Sequence, residues 1–388
     1  MKKTEFSQYE EEVIRLRRHF HQYPELALQE FQTSAFIQKY LEELGYQVRH
    51  VPPTGLIAEH PCMKNREKMV VLRAEMDALP VQELTGLDYA SRNEGCMHAC
   101  GHDGILAVAL TLAKILSREK DFPVAVRFLF EPAEEIGEGT VRMLDGGALD
   151  KDKGRKADGF LMFHYACDQP LGMAVHKGQA SAMIGKMEIL IKGKSSHWCQ
   201  AEKGIDSIYA AGLVVQKVHE ISRDYVGKGP HVAGIGTIHG GEYPNIISDQ
   251  VKLVGNIRAC YREDFEQLKK ALEQAFHKVE EVTGAQVCLS FPKDPVLPFA
   301  NDPTLTAIAA DTGRTIFGSH FLLEGEDELF LTGDNAYRYY QQTKGLFCVF
   351  LAAVPGEEHP FHHPKFQIDE RILLPSVQTL YEIIRKYA

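Results

Sequence analysis

Four short, almost wholly apolar runs constrain the fold of this chain more than any other feature: MVVLRA (69–74), VAVRFLF (124–130), GFLMF (159–163) and LFCVFLAAV (346–354). Continuous apolar runs of this length are the pattern of strands buried on both faces, as in a largely parallel sheet covered by helices. Between the first two lies GILAVALTLAKILSRE, which reads as a helix. Strand, helix, strand in that order predicts a right-handed crossover. Upstream, FQTSAFIQKYLEELG sets Phe36, Tyr40, Leu41 and Leu44 on one helical face and stops at Gly45.

The middle of the chain is patterned differently. GKMEILIKG (185–193) reads as a strand, IDSIYAAGLVVQKVHEI (205–221) as a helix, and HVAGIGTIHGG and QVKLVGNIRA as strands. EDFEQLKKALEQAFHKVEEVTG is then a helix and AQVCLSF a closing strand. The order βαββαβ is that of a ferredoxin-like unit. The expected architecture is therefore α/β: a largely parallel-sheet body from residues 1–180 and 295–388, with a ferredoxin-like α+β domain inserted over 181–294. A length of 388 residues agrees with two domains rather than one.

A formal charge of −10 argues against nucleic acid as a partner, since that would call for a basic face. No apolar run approaches the roughly 20 residues that span a bilayer, so no membrane partner is expected. The opening MKKTEFSQYEEEVIRLRRHF lacks the apolar stretch of a secretory signal and reads as an amphipathic helix. Eight cysteines without an export signal read as reduced thiols, and a cytoplasmic location is expected.

Residues 96–103, CMHACGHD, concentrate two cysteines, two histidines and an aspartate. A structural zinc clip would need a second ligand pair beyond a longer loop, and none follows. A thioredoxin-type pair would be C-x-x-C, whereas Cys96 and Cys100 are four apart. The third reading is a metal site assembled from distant segments, with further ligand-type residues at the carboxyl ends of the strands. They are there. MVVLRAEMDALP ends in Glu75 and Asp77, VAVRFLF runs into EPAEE with Glu131, Glu134 and Glu135, and GFLMF ends at His164. HPFHHPKF adds His359, His362 and His363. A carboxylate buried without a partner is costly or shifts its pKa, so the coincidence at several strand ends points to a catalytic metal site.

VLRAEMDALP, MHACGHD, EPAEE and HHPKF resemble the signature motifs of the amidohydrolase branch of the aminoacylase and carboxypeptidase-G superfamily of dinuclear metallohydrolases. That branch includes hippurate hydrolases, auxin-conjugate hydrolases and N-acetyldiaminopimelate deacetylases, and the resemblance covers nearly the whole chain. It implies two divalent metal ions per subunit, held by Cys100, His102, Glu135, His164 and His362. It implies that Glu134 is the general base and that Asp77 orients a ligand histidine. On this reading Glu131 holds loop structure, His98 is structural or supporting, and His359 and His363 lie outside the coordination sphere.

In the inserted domain, which the resemblance makes a lid, GKSSHWCQAEKGIDSI places His197 at the histidine that polarises the substrate carbonyl. GGEYPNIISD places Asn245 at a substrate-binding asparagine, and GNIRA places Arg258 either at a substrate contact or in an ordinary salt bridge. A thiolate, three imidazoles and one carboxylate suit zinc, while relatives often work with manganese, so both metals stand. The implied activity is hydrolysis of the amide bond of N-acyl (acetyl, benzoyl or similar) amino acids by a homodimer joined through the lid. A dipeptidase or carboxypeptidase acting on short peptides is the competing reading, and a non-catalytic metal-binding homologue the third. The chain departs from the branch at Glu75, where aspartate is commoner, at Ile105, where another histidine is frequent, and at Ala201–Glu202, in place of Pro-His.

Overall fold

The computed structural model describes residues 3–63, 66–151, 154–325 and 328–388. In chain order its strands are β1 (Gln47–Val51), β2 (Gly55–Glu59), β3 (Met69–Glu75), β4 (Ala125–Glu131), β5 (Gly159–Ala166) and β6 (Gly172–His176). There follow β7 (Met183–Lys192), β8 (Ser196–His197), β9 (His231–Gly240), β10 (Ile246–Ile247), β11 (Gln250–Ala259) and β12 (Gln286–Ser290). The last two are β13 (Phe321–Glu324) and β14 (Gly345–Leu351).

The chain divides into two compact units. The first comprises Met1–Gly178, Ala300–Glu326 and Arg338–Ala388. It is built on an eight-stranded sheet in the order β1-β2-β4-β3-β5-β14-β6-β13. The four central strands, β4, β3, β5 and β14, run mutually parallel. Antiparallel joins at β2–β4 and β14–β6 make the flanks mixed. All four apolar runs form these central strands. The sheet is widened by β1, β2, β6 and β13, whose four or five residues give no comparable apolar signal.

The crossover from β3 to β4 is the helix His102–Leu116, buried almost all round its circumference. An all-apolar helix needs cover on every side. It packs on β3 and is roofed by the amphipathic helices Glu10–Gln22 and Leu373–Lys386. Because the central strands are parallel, their carboxyl ends share one edge of the sheet, the edge at which open α/β sheets bind ligands.

The second unit comprises Gln179–Phe299 and Asp327–Tyr337, and has its own apolar core. Its four-stranded antiparallel sheet, in the order β12-β7-β11-β9, carries the helices Ser207–Asp224 and Arg262–Thr283. With strand order 4-1-3-2 in its own count, this is the ferredoxin-like arrangement. Burial alternates along β7 and β11, as expected of a sheet covered by helices on one face. The return segment Asp327–Tyr337, which the sequence pattern groups with the first body, belongs to the second unit. There Thr332 O accepts from Ala182 N at 2.7 Å. The joining contacts are backbone carbonyls, which leave no mark in residue type.

Candidate metal centre

Six ligand-type side chains converge beyond the carboxyl edge of the large sheet. Ligand atoms of Cys100, His102 and His164 lie within 4.8 Å of one another, as do those of Cys100, Glu135 and His362, and those of His102, Glu134 and Glu135. Cys100 and His102 flank Gly101, whose φ of 85° is open to glycine and strained for other residues, and His102 begins the buried crossover helix. His164 lies on β5, with Nε2 3.5 Å from Cys100 Sγ. His362 stands beyond β14, itself at φ 65°, and its Nε2 is 3.5 Å from Glu135 Oε2.

Backbone carbonyls set the tautomers of two of these histidines. His102 Nδ1 donates to Asp77 O at 2.8 Å, and His164 Nδ1 to Tyr165 O at 3.0 Å. Each bond fixes the proton on Nδ1 and turns a basic Nε2 toward the cluster, as metal-ligating histidines require.

The adjacent glutamates are aimed by a turn after β4. Asp77 accepts from Glu134 N through Oδ1 at 3.0 Å and from Glu135 N through Oδ2 at 2.9 Å. Its Oδ1 also lies 3.8 Å from His102 Nδ1, so one buried carboxylate fixes both the turn and the histidine's surroundings. Ala133 is left-handed at φ 54°, an uncommon state for a residue with a Cβ. Any side chain on Gly139 would meet Pro132 O at 1.8 Å, so the chain must fold back tightly there. The turn directs Glu135 toward His362 and brings Glu134 Oε2 to 4.0 Å from His102 Nε2.

The cluster's charge balance calls for a cation. Burial, then the Glu135 and Glu134 carboxylates, push the Cys100 thiol well above its ordinary pKa. Burial opposes protonation of His102, yet Glu135, Asp77 and Glu75 together raise its pKa. Glu135 Oε1 is buried with no hydrogen-bond partner. A divalent cation reverses this electrostatic logic: it favours the thiolate and the neutral imidazoles and offers the orphaned oxygen a bond. The donor set fits divalent metal ions.

Residues 71–386 match peptidase family M20/M25/M40. The chain belongs to this family. It is 32% identical over 385 residues to the N-acetyl-L-cysteine deacetylase of Bacillus subtilis, covering 98% of this chain and 89% of the relative. It is 30% identical over 382 residues to thermostable carboxypeptidase 1 of Saccharolobus solfataricus, covering 96% and 94%. The crystal structure of the B. subtilis YXEP protein, a dinuclear metal binding peptidase from the M20 family, superposes with a TM-score of 0.78 at 28% identity. That superposition covers 98% of this chain and 99% of the other.

Against this M20 frame, several residues near the cluster do other work. Glu131 accepts from Arg73 Nε at 2.9 Å and Nη2 at 3.0 Å, and also from Thr140 and Tyr339 hydroxyls, so it holds structure. Glu75, the departure from the commoner aspartate, pairs with Arg73 Nη1 at 2.7 Å. His359 and His363 stack at 4.5 Å outside the three ligand groups. His98 is buried near His102, and burial lowers its pKa to about 3.

The amphipathic helix Glu10–Gln22 supplies a buried ion network that the motifs do not reveal. Arg17 Nε lies 2.9 Å from Asp103 Oδ2, and His21 Nδ1 lies 2.7 Å from the same oxygen. The signal was present as Arg17 and His21 at i and i+4 on the same side as Val13, Leu16 and Phe20, where charge has no reason to sit unless paired.

In the second unit, His197 is exposed on β8, opposite Ile246 of β10, and Trp198 N donates to Asn245 O at 3.2 Å. His197 Nδ1 accepts from Cys199 N at 3.1 Å, which leaves the proton on Nε2. Arg258 donates from Nη1 to Leu331 O at 2.9 Å and from Nε to Asn256 Oδ1 at 3.3 Å. The bond to Leu331 ties the return segment to β11, and the one to Asn256 lies within β11 itself.

Proposed function

We propose that this chain is a metal-dependent amidohydrolase that cleaves N-acyl amino acids into an amino acid and a carboxylic acid. The observation that carries the reading is the convergence of five metal-type donors with a sixth side chain, Glu134, held beside them by the Asp77-anchored turn. Cys100, His102, Glu135, His164 and His362 would hold two divalent ions, zinc or manganese. When bound, these ions supply Lewis-acid polarisation of the scissile carbonyl and of the attacking water.

The chain's own groups do the rest. Glu134 accepts the proton of the attacking water and returns it to the departing amine, serving as base and then acid. Asp77 keeps His102 and the glutamate turn in register. His197, with its proton on Nε2, is a donor suited to the developing oxyanion. Asn245 and Arg258 are assigned to substrate binding, although the bonds Arg258 makes to Leu331 and Asn256 favour the alternative of a structural tie.

A homodimer through the lid is supported by edge strand β9, whose C-terminal half is exposed with Ile238 at 53%. Unpaired strand edges are pairing sites. Sedimentation equilibrium decides it, and a monomer at all concentrations would reject it. All eight cysteines are unpaired, which supports a reducing, cytoplasmic setting. Among the described residues, no helix is long and apolar enough to cross a membrane.

The test is a screen of the metal-replete enzyme on N-acetyl and N-benzoyl amino acids beside dipeptides with a free amine. Turnover of the acylated series above the dipeptides is expected. The reverse order would favour the peptidase reading that the carboxypeptidase relative suggests, and no turnover of either would reject both. Cys100 gives a separate check. Cys100→Ala should weaken metal binding by at least about tenfold, since even residues that only support ligands have effects of that size. Unchanged metal affinity would remove Cys100 from the ligand set.

A further inference from the structure

Glu30 lies far outside the signature motifs and at the wrong place for an ordinary glutamate. It is fully buried, at the residue that precedes the helix Phe31–Glu43, yet its side chain caps nothing there. The open amides of that helix are satisfied instead by Glu25, which accepts from Gln32 N at 3.1 Å and Thr33 N at 2.8 Å. Glu30 is thereby released to reach across the first unit. Its Oε2 accepts from Thr54 Oγ1 at 2.6 Å, and its Oε1 accepts from Ala133 N at 2.9 Å.

Ala133 is the strained residue of the glutamate turn, at φ 54°. Its amide and those of Glu134 and Glu135 are three consecutive N–H groups, received by two buried carboxylates: Glu30 takes the first and Asp77 the next two. Runs of amides in such conformations form a concavity for anionic oxygen. A left-handed alanine persists only where its surroundings over-determine it. A carboxylate acceptor makes a stronger bond than a neutral one, so Glu30 has the chemistry to hold that conformation.

We propose that Glu30 is a positioning residue for the hydrolytic site: by fixing the Ala133 amide it sets the pose of Glu134 beside His102. The proposal rests on the reading of Glu134 as the base, and its first test is independent of that reading. In metal-free protein, Glu30→Leu is expected to speed amide exchange in the segment 131–139 by about tenfold or more, with exchange in the helix Phe31–Glu43 unchanged. In metal-loaded enzyme, kcat should fall by about tenfold or more, with KM and metal content within about twofold of wild type. Glu30→Gln keeps an acceptor oxygen but not its charge, so both effects should be intermediate.

If Glu30→Leu does not fold, Glu30→Gln carries the test alone, with faster exchange confined to the turn and a lowered kcat. Unchanged exchange in the turn overturns the proposal. So does loosening spread equally through the helix Phe31–Glu43, which would make Glu30 merely structural. If exchange responds as expected while the wild type hydrolyses no amide, the functional reading fails and the contact of Glu30 with the turn stands.

Discussion

Glu134→Gln is expected to lower kcat by about 10²–10⁴-fold, the range removed with a positioned general acid–base. The substitution is nearly isosteric and changes little else. The backbone amide at 134 still donates to Asp77 Oδ1, so the turn is kept. Glu135 retains its own amide bond to Asp77 Oδ2 and its approach to His362. What is lost is an oxygen able to take a proton from water and give it to a leaving amine. KM should therefore stay within a few-fold of wild type, the mark of an interaction made in the transition state only. Metal content should be unchanged, and elemental analysis with steady-state kinetics on one preparation reads both. Glu134 also falls geometrically within one of the three possible ligand groups, so the experiment discriminates. Loss of metal along with activity would make Glu134 a ligand, and full activity would end its assignment as the base. The same substitution at Glu135 should instead weaken metal binding.

The contrast between neighbouring glutamates shows which parts of this protein were legible in its sequence. The central strands were, because a strand buried on both faces has to be largely apolar, and β3, β4, β5 and β14 are, with few charged exceptions such as Arg73, which is paired with Glu75 and Glu131. The side chains that converge beyond the sheet were legible as candidates, because acidic residues and histidines at the ends of such strands are costly to bury without a partner, although Glu75 and Glu131 prove to find theirs in Arg73. The outer strands were not. In β1 only Val51 is buried, and β13 has four residues without a fully buried position. Their place in the sheet comes from pairing with neighbours already formed, which no local pattern encodes. The buried supports of the site were also hidden, for a different reason. Glu30 looks like one more acidic residue before a helix, and what separates it from Glu25 is only which amides it receives. Spacing locates atoms that must meet a metal, whereas the groups that hold those atoms can come from any part of the chain that folding brings near.

Arg17→Met should destabilise the protein by about 3–5 kcal/mol, the usual consequence of removing one partner from a buried ion pair. Arg17 is almost fully buried, and its cation faces Asp103, Glu370 and the ring of Tyr89. The 2.9 Å approach of Nε to Asp103 Oδ2 lacks hydrogen-bond alignment, so the contact is mainly Coulombic. Methionine fills the volume and leaves Glu370 with Arg18, but among the described residues Asp103 keeps only His21 as an ion-pair partner. The pH dependence follows from the shifts. Arg17 and His21 hold the Asp103 carboxyl well below its ordinary pKa against the opposing effect of burial. A depressed carboxyl stabilises the fold above its unfolded pKa and loses that contribution as pH falls through the folded value. His21 is raised despite burial and the Arg17 charge, by its bonds to Asp103 and Glu83. It therefore stabilises below its unfolded pKa, and that contribution is lost as pH rises through the folded one. In Arg17→Met, deprotonating His21 strips Asp103 of its last cation, so the deficit should widen from about pH 6 to about pH 9. Urea unfolding of the metal-free variant and wild type at both pH values measures this. Adding Asp103→Asn should recover much of the loss, because the stranded charge goes with it. A deficit under about 1 kcal/mol at either pH would mean that water reaches Asp103, and that the start of the crossover helix is anchored by packing instead of by charge.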